Sequence, residues 1–473
     1  MFRFKVLMLL CILIGLASVL VSMNGCGTTT SSINGPPPPP SGKINHVVII
    51  FQENRTPDNL FHDPVLMGRG ADIASSGKTS TGQTIPLTPV PLVTEYDLGH
   101  GHGSFLSEWD NGAMDGADRV DVRCPPGSPN CAPPDPQYQY VQASDVQPYF
   151  TLAETYTFGD RMFQTNQGPS FPAHQYIVSG TSAISEKSKF NASENPAKSD
   201  TVNTGCIAPS SQTVKIIDTT NSDPTSNETQ TTYPCFEHPA LTDLLDTTGI
   251  NWKYYTPVVG SIWTAPNAIQ HMCGPDAPPP NGTNCVGAEW TNHVIVSKTQ
   301  VLDDISGGKL AAVSWVIPTA LSSDHALQND GSGPSWVASV VNAIGTSHYW
   351  KDTAIIITWD DWGGWYDHVP PPTIHNSYEL GLRVPLIVVS PYAKAEYISH
   401  TNHDFGSILK FIEKVYGLGT VDPAVGYADS RSDDLSDCFD FNQTPLTFTP
   451  IAAPHNAQYF INDKRPAEGP DDD

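Results

Sequence analysis

Basic residues are scarce. The 473-residue chain sets 24 Lys and Arg against 49 Asp and Glu, a formal net charge of −25. Setting aside residues 1–25, which carry Arg3 and Lys5 and no acid, takes the balance to −27 (−25 − 2). A field of that sign repels polyphosphate backbones, so no nucleic-acid partner is expected. Most of the excess acid reads as an ordinary solvated surface. Charge of either sign is low, 15% of residues against 39% hydrophobic, which excludes a disordered chain. No internal repeat is evident, so the length is not that of an array of units. CxxC spacing is also missing, which argues against a cysteine-held metal.

Proline and glycine, by contrast, are plentiful. The 43 prolines and 37 glycines predict long, turn-rich connections. The length is about three times that of a typical domain, yet large α/β enzymes of this size often form one domain with insertions.

Residues 1–25 have a basic start, an apolar run from Val6 to Val21 and a small residue before Cys26. This reads as an export signal of the lipoprotein type, with Cys26 as the lipid-bearing residue. Residues 26–43 form a polar and polyproline tether, residues 44–443 the main domain, and 444–473 a tail. The expected location is extracytoplasmic, secreted or lipid-anchored at a bacterial envelope.

Apart from Cys11 and Cys26, six of the seven cysteines fall into close pairs: Cys124 with Cys131, Cys206 with Cys235, Cys273 with Cys285. An exported protein can keep these as disulfides, although six cysteines allow 15 pairings. Cys438 is left over.

Four runs rich in β-branched residues read as buried strands: 46–51, 311–318, 353–359 and 383–390. Segments 238–249, 335–345 and 404–417 have apolar positions at helical spacing and a closing glycine. Their alternation predicts an α/β three-layer sandwich around a mainly parallel sheet. Segments 63–95, 185–235 and 264–292 are polar, aperiodic and read as loop-rich insertions.

Ligands of open α/β sheets bind outside the carboxyl ends of the strands. Glu53 and Asn54 follow the first run, and Asp360 and Asp361 follow the third. Adjacent carboxylates ~5 Å apart repel by roughly 3 kcal/mol at an intermediate dielectric, and a bound cation offsets that. Four oxygen-bearing side chains meeting there suit a divalent metal. The plainer alternative has Asp360 capping a helix and Glu53 paired with Arg55. In "NQGPSFPAHQYIVSG", Ser170 stands at a turn before a helix that runs through His174. There its hydroxyl is either an N-cap or a group placed beside free N–H donors that favour phosphate. His325 follows the second run and is the strongest acid or phosphate-ligand candidate; His100, His102 and His368 lie in loops.

The segments "HVVIIFQENRTPDNLF", "GPSFPAHQYIVSGTS", "INWKYY", "SSDHA", "WDDWGGWYDHVPPP" and "GLRVPLIVVSPYAK" occur in this order. Over about residues 44–420 the chain thereby resembles the bacterial phosphoesterase family of phospholipases C and related acid phosphatases. The resemblance implies an alkaline phosphatase-like fold and a Ser or Thr nucleophile beside a metal held by carboxylates and an Asn. Carried over position by position, it implies that Glu53, Asn54, Asp360 and Asp361, with Ser170, hold a divalent metal. It further implies that Ser170 is the nucleophile and that His100 and His325 match family histidines, read as binding the phosphoryl oxygens or protonating the leaving group. Thr56-Pro57-Asp58-Asn59-Leu60-Phe61 replaces the family's Ser-Phe-Asp-His-Tyr-Phe. Asp324 stands for Glu, Ala326 for Pro and Trp362 for a common His. No CxPxR-type setting is present, which disfavours a sulfatase. The expected activity is metal-assisted hydrolysis of a phosphate ester, phospholipids included, through a phosphoserine. The alternative is a surface binding protein that keeps the fold without turnover.

Overall fold

Near-continuous apolar runs can be buried only between two covering layers, and these become the centre of an eight-stranded sheet. The computed structural model describes residues 42–199, 202–221, 223, 228–372 and 375–467. The export segment, nearly all of the tether, parts of the 185–235 insertion and the end of the tail lie outside the described residues.

The strands are β1 (His46–Gln52), β2 (Thr157–Gly159), β3 (Trp252–Thr256), β4 (Val294–Val296), β5 (Val313–Val316), β6 (Thr353–Trp359), β7 (Leu386–Val389) and β8 (Tyr397–Ser399). They lie in the order β4-β3-β5-β1-β6-β7-β2-β8. All run in one direction except β7, which is antiparallel to both its neighbours. The fold is therefore α/β with a mainly parallel sheet, as the sequence predicts. Every residue of β5, β6 and β7 is buried. The run 353–359 is matched end to end, whereas 311–318 and 383–390 are longer than the strands they contain. The last is shortened because Arg383 is drawn into a buried ion pair and Pro385 has no N–H to give the ladder. Three of the four unread strands, β2, β4 and β8, are only three residues long, too short for a periodic signal.

The longer helices include α1 (Ala143–Thr155), α2 (Ser170–Ser179), α3 (Leu241–Thr248), α4 (Gly333–Gly345) and α5 (Phe405–Tyr416). α1 packs on α4, and α2 packs on α5. α5 begins with a reciprocal cap, in which the Asp404 carboxylate accepts from the Ser407 N–H and the Asp404 N–H donates to the Ser407 hydroxyl. Within the 63–95 and 185–235 insertions lie a short hairpin (Ser76–Lys78 with Thr84–Pro86) and a three-stranded sheet (Phe190–Ala192, Val214–Asp218, Gln230–Thr232). The three close cysteine pairs are disulfides, and Cys438 is the free cysteine among the described residues.

One ion network, buried at Arg383, Asp58 and Asp367 and half-buried at His368 and Asp72, braces the loop that leaves β6. Arg383 bonds Asp367 at 3.0 Å and Asp58 at 3.3 Å, and His368 bridges Asp58 at 2.7 Å and Asp72 at 2.9 Å. Burial of the His368 ring opposes its charge, but the hydrogen bond and attraction from Asp58 outweigh that and lift its pKa to about 9. A histidine raised in the folded state contributes stability that is full below its ordinary pKa of about 6.5 and is lost as pH rises through about 9. The stability gap between wild type and His368→Gln is thus expected to narrow across that window. Urea unfolding at pH 6 and at pH 9.5 measures it, and a pH-independent gap would show that the imidazole acts only by packing.

Candidate active site

The register of the sheet sets Gln52 at the end of β1 directly beside Trp359 at the end of β6. The next residues of each strand therefore meet. The Asn54 N–H donates to Asp360 Oδ1 at 3.1 Å, the Asp361 N–H to the same oxygen at 2.8 Å, and the Arg55 N–H to the Asp361 carbonyl at 3.0 Å. Asn54 holds a left-handed backbone, φ 62°, which Asn tolerates better than most residues and which is enriched where function requires it. Gly363 is needed opposite: a Cβ there would stand 2.3 Å from the Asn54 carbonyl. Its N–H donates to Asp361 Oδ1 at 2.7 Å.

Ser170 is the first residue of α2. Pro169 is the cap and makes no side-chain capping bond, so the Ser170 hydroxyl is not spent as an N-cap. It donates instead to Asp361 Oδ2, at 3.4 Å. The turn before it admits only glycine at 168, where a Cβ would lie 2.3 Å from the Tyr378 hydroxyl and 2.4 Å from the Ser193 carbonyl. One turn along α2, His174 Nε2 lies 3.4 Å from Glu53 Oε1 and 3.7 Å from Asp360 Oδ2. Sequence reasoning places His174 on this helix without assigning it to the site. The i, i+4 spacing from Ser170 was the available signal, because it puts both on one helical face.

His100 faces Asn54: its Nε2 is 3.1 Å from Asn54 Nδ2 and its Nδ1 is 2.8 Å from the Leu98 carbonyl. In the neutral tautomer with Nδ1 protonated, His100 donates to Leu98 and accepts from Asn54 Nδ2, which leaves Asn54 Oδ1 facing away from the ring. His325 sits 5.6 Å from His100 between ring centroids, with Nδ1 2.8 Å from the Ala326 carbonyl, and Trp263 packs 6.1 Å away. His102 and His368 are elsewhere: the first pairs with Glu228 at 3.1 Å and the second belongs to the Asp58 network.

The plainer reading of the strand ends does not hold. Arg55 turns from Glu53 to the carbonyl of Asp324, bonded at 2.9 and 2.6 Å, and stacks on Trp365. It thereby ties the loop bearing His325 to the end of β1. Asp324 itself accepts from Tyr149 and Trp359, each at 2.9 Å, and Trp362 donates to the buried Glu108 at 3.0 Å. The residues that depart from the expected pattern at 324 and 362 are thus supports of the site walls.

Burial, then the neighbouring Asp360, pushes the Glu53 carboxyl well above its ordinary pKa. Burial lowers His174 to about 4, partly opposed by Asp360, so the imidazole is neutral, the form that ligates metals. Both oxygens of Glu53, Oδ1 of Asn54, both ring nitrogens of His174 and Oδ2 of Asp360 are buried without a hydrogen-bond partner. Buried polar atoms are ordinarily satisfied. Glu53, His174 and Asp360 each bring a ligand atom within 4.8 Å of the others, and a divalent cation fits this set of oxygen and imidazole donors. A cleft of about 670 Å³ opens beside Gly101 and Asn195, the latter accepting from the Phe171 N–H at 2.9 Å.

A family model described as Phosphoesterase family matches residues 44–419. The chain is 24% identical over 453 residues to phospholipase C B of Mycobacterium tuberculosis, covering 85% of this chain and 78% of that protein. Hemolytic phospholipase C of Pseudomonas aeruginosa is 23% identical over 457 residues, covering 84% of this chain and 56% of that protein. A solved protein in the alkaline phosphatase superfamily from Vibrio parahaemolyticus aligns at a TM-score of 0.36 and 10% identity, covering 84% of this chain and 71% of that one. A likeness of that degree bears on no functional question.

Proposed function

The chain belongs to the phosphoesterase family, and from that premise we propose that it hydrolyses phosphate esters through a covalent phosphoserine at Ser170. The observation that carries this reading is the Ser170 hydroxyl on Asp361, at the joined ends of β1 and β6, beside a cluster of unpartnered buried donors.

Glu53, Asn54, Asp360 and Asp361, with Ser170, would hold a divalent cation, and His174 would be an added donor. When bound, the cation supplies charge neutralisation for the phosphoryl oxygens and lowers the pKa of a coordinated hydroxyl. Asp361 Oδ2 orients the Ser170 hydroxyl and takes its proton. Ser170 Oγ then bonds to phosphorus as the ester P–O bond breaks, and the departing oxygen takes a proton from His325. His100 lines the phosphoryl pocket and keeps Asn54 turned toward the metal donors. Water next attacks the phosphoserine, its proton passing to His325, and as the Oγ–P bond breaks Oγ takes back the proton held by Asp361, which restores all three groups.

The substrate is a phosphomonoester, or a phosphodiester such as a phospholipid, met outside the cytoplasm. Three disulfides support export, and an N-terminal lipid at Cys26 would hold the enzyme near membranes. The test is purified protein of defined metal content assayed against a phosphomonoester, a phosphodiester and phosphatidylcholine. Release of phosphate or headgroup from at least one, abolished by chelation and restored by metal, is expected. Absence of release from all three, with metal bound, would make the chain a binding protein on this fold.

A further inference from the structure

A second cluster of metal-ligand side chains lies on different residues, where the segment after α5 returns to the edge of the sheet. We propose that His403, Asp437 and Cys438 form a further divalent-metal site, of the borderline kind that suits Zn²⁺, pinning the C-terminal segment to β8.

Their donor atoms lie within 4.8 Å of one another. His403 Nε2 is 3.4 Å from Asp437 Oδ1, Cys438 Sγ is 3.6 Å from the same oxygen, and Cys438 Sγ is 3.9 Å from His403 Nε2. Zinc bonds of about 2.3 Å to sulfur and about 2.0–2.2 Å to nitrogen and oxygen, set tetrahedrally, make edges of roughly 3.3–3.6 Å. Two of the three spacings match those edges and the third is slightly longer. The triangle also mixes thiolate, imidazole and carboxylate, a donor set that selects a borderline cation over Ca²⁺ or Mg²⁺.

The surroundings follow the same chemistry. His403 Nδ1 is held by Asp433 Oδ1 at 2.7 Å, the carboxylate support that aims the opposite nitrogen of a metal-bound histidine. Asp433 is itself fixed, accepting from the Ser407 hydroxyl at 2.6 Å and the Leu435 N–H at 3.1 Å. The Ser399 hydroxyl, at the end of β8, lies 3.1 Å from His403 Nε2 and also touches Asp437, in position to complete the fourth corner or to hold a water there. A cavity of about 320 Å³ reaches His403 and Asp433 from the side of Asn402 and Arg431. The competing arrangement is a charged His403 paired with Asp433 and Asp437, beside Asp404, with Cys438 a bystander. It predicts no thiolate.

Binding by the proposed site releases the Cys438 thiol proton to solvent and leaves the sulfur on the metal. Full-length protein is stripped, dialysed against Zn²⁺ and analysed for metal; a parallel sample is loaded with Co²⁺. Cys438→Ser is expected to carry one equivalent less zinc than wild type and to lose the near-ultraviolet thiolate-to-cobalt band. Asp360→Asn is expected to keep that band, which separates this site from the candidate active centre whatever the chain hydrolyses. Should Cys438→Ser fail to fold, Asp437→Asn replaces it, with the same loss of one zinc expected and the band shifted or gone. No thiolate band in wild type overturns the proposal. So does an unchanged zinc count in the folded variant, and so does a band that survives in Cys438→Ser, which would come from another thiol.

Discussion

Ser170→Ala is expected to stay folded, keep its metal and lose roughly a thousandfold or more of hydrolysis, ~4 kcal/mol in barrier. The structure separates this outcome from a stability effect. Ser170 is not the cap of α2, and its side-chain bond to Asp361 is a long 3.4 Å. Loss of the hydroxyl therefore costs the fold little, and alanine at a first helical turn is well tolerated. Turnover through a phosphoserine has no nucleophile without it. Acid-quenched wild type should in addition carry phosphorus label at this residue after exposure to a labelled substrate. Activity within about tenfold of wild type, ~1.4 kcal/mol, would sink the covalent route and favour direct attack by an activated water.

Asp360→Asn is expected to lose metal and activity together, each by about a hundredfold. The change is nearly isosteric, and the amide oxygen can still accept from the Asn54 and Asp361 N–H groups that Oδ1 now serves. What changes is the other corner. Oδ2, unpartnered and 3.7 Å from His174 Nε2, becomes an NH₂ that cannot ligate a cation. Without metal, the variant should be at least as stable as wild type, because one of the charges that raise Glu53 is gone. The sign comes from linkage: a carboxyl raised in the folded state binds more protons there, so the metal-free protein loses stability as pH climbs above the ordinary Glu pKa. Thermal unfolding with and without metal, beside elemental analysis, reads both effects. Full metal content in a folded, inactive Asp360→Asn protein would leave Asp360 a catalytic role and remove it from the ligand set.

Several features are legible in the chain by itself. An apolar run such as 353–359 can be satisfied only by burial, and charged residues directly after it must sit where the sheet ends, so the edge that carries Glu53, Asn54, Asp360 and Asp361 can be read from local pattern. The disulfide pairs are legible for a similar local reason: cysteines 7, 12 and 29 residues apart close short loops. The helices 335–345 and 404–417 are read to within two residues because amphipathic spacing and a closing residue mark them.

Other features depend on chain segments that meet only after folding. Asn54 and Asp360 are 306 residues apart, Ser170 and Asp361 are 191 apart, and nothing near any of them in sequence encodes their distance. That β1 and β6 are neighbours, with Gln52 level with Trp359, is a property of strand order, and it alone makes one site of two acidic strand ends. The same holds for His174, which meets the Glu53 carboxylate only because folding brings α2 to the end of β1, and for Arg55, which local spacing would pair with Glu53 but which the fold commits to Asp324. Sequence by itself determined which groups had to be buried and which had to stand at strand ends, since hydrophobic burial and backbone satisfaction act on each segment separately. Tertiary structure decided which of those groups share a site, since like charges and unpartnered donors acquire their energies only from neighbours that folding brings within a few ångströms.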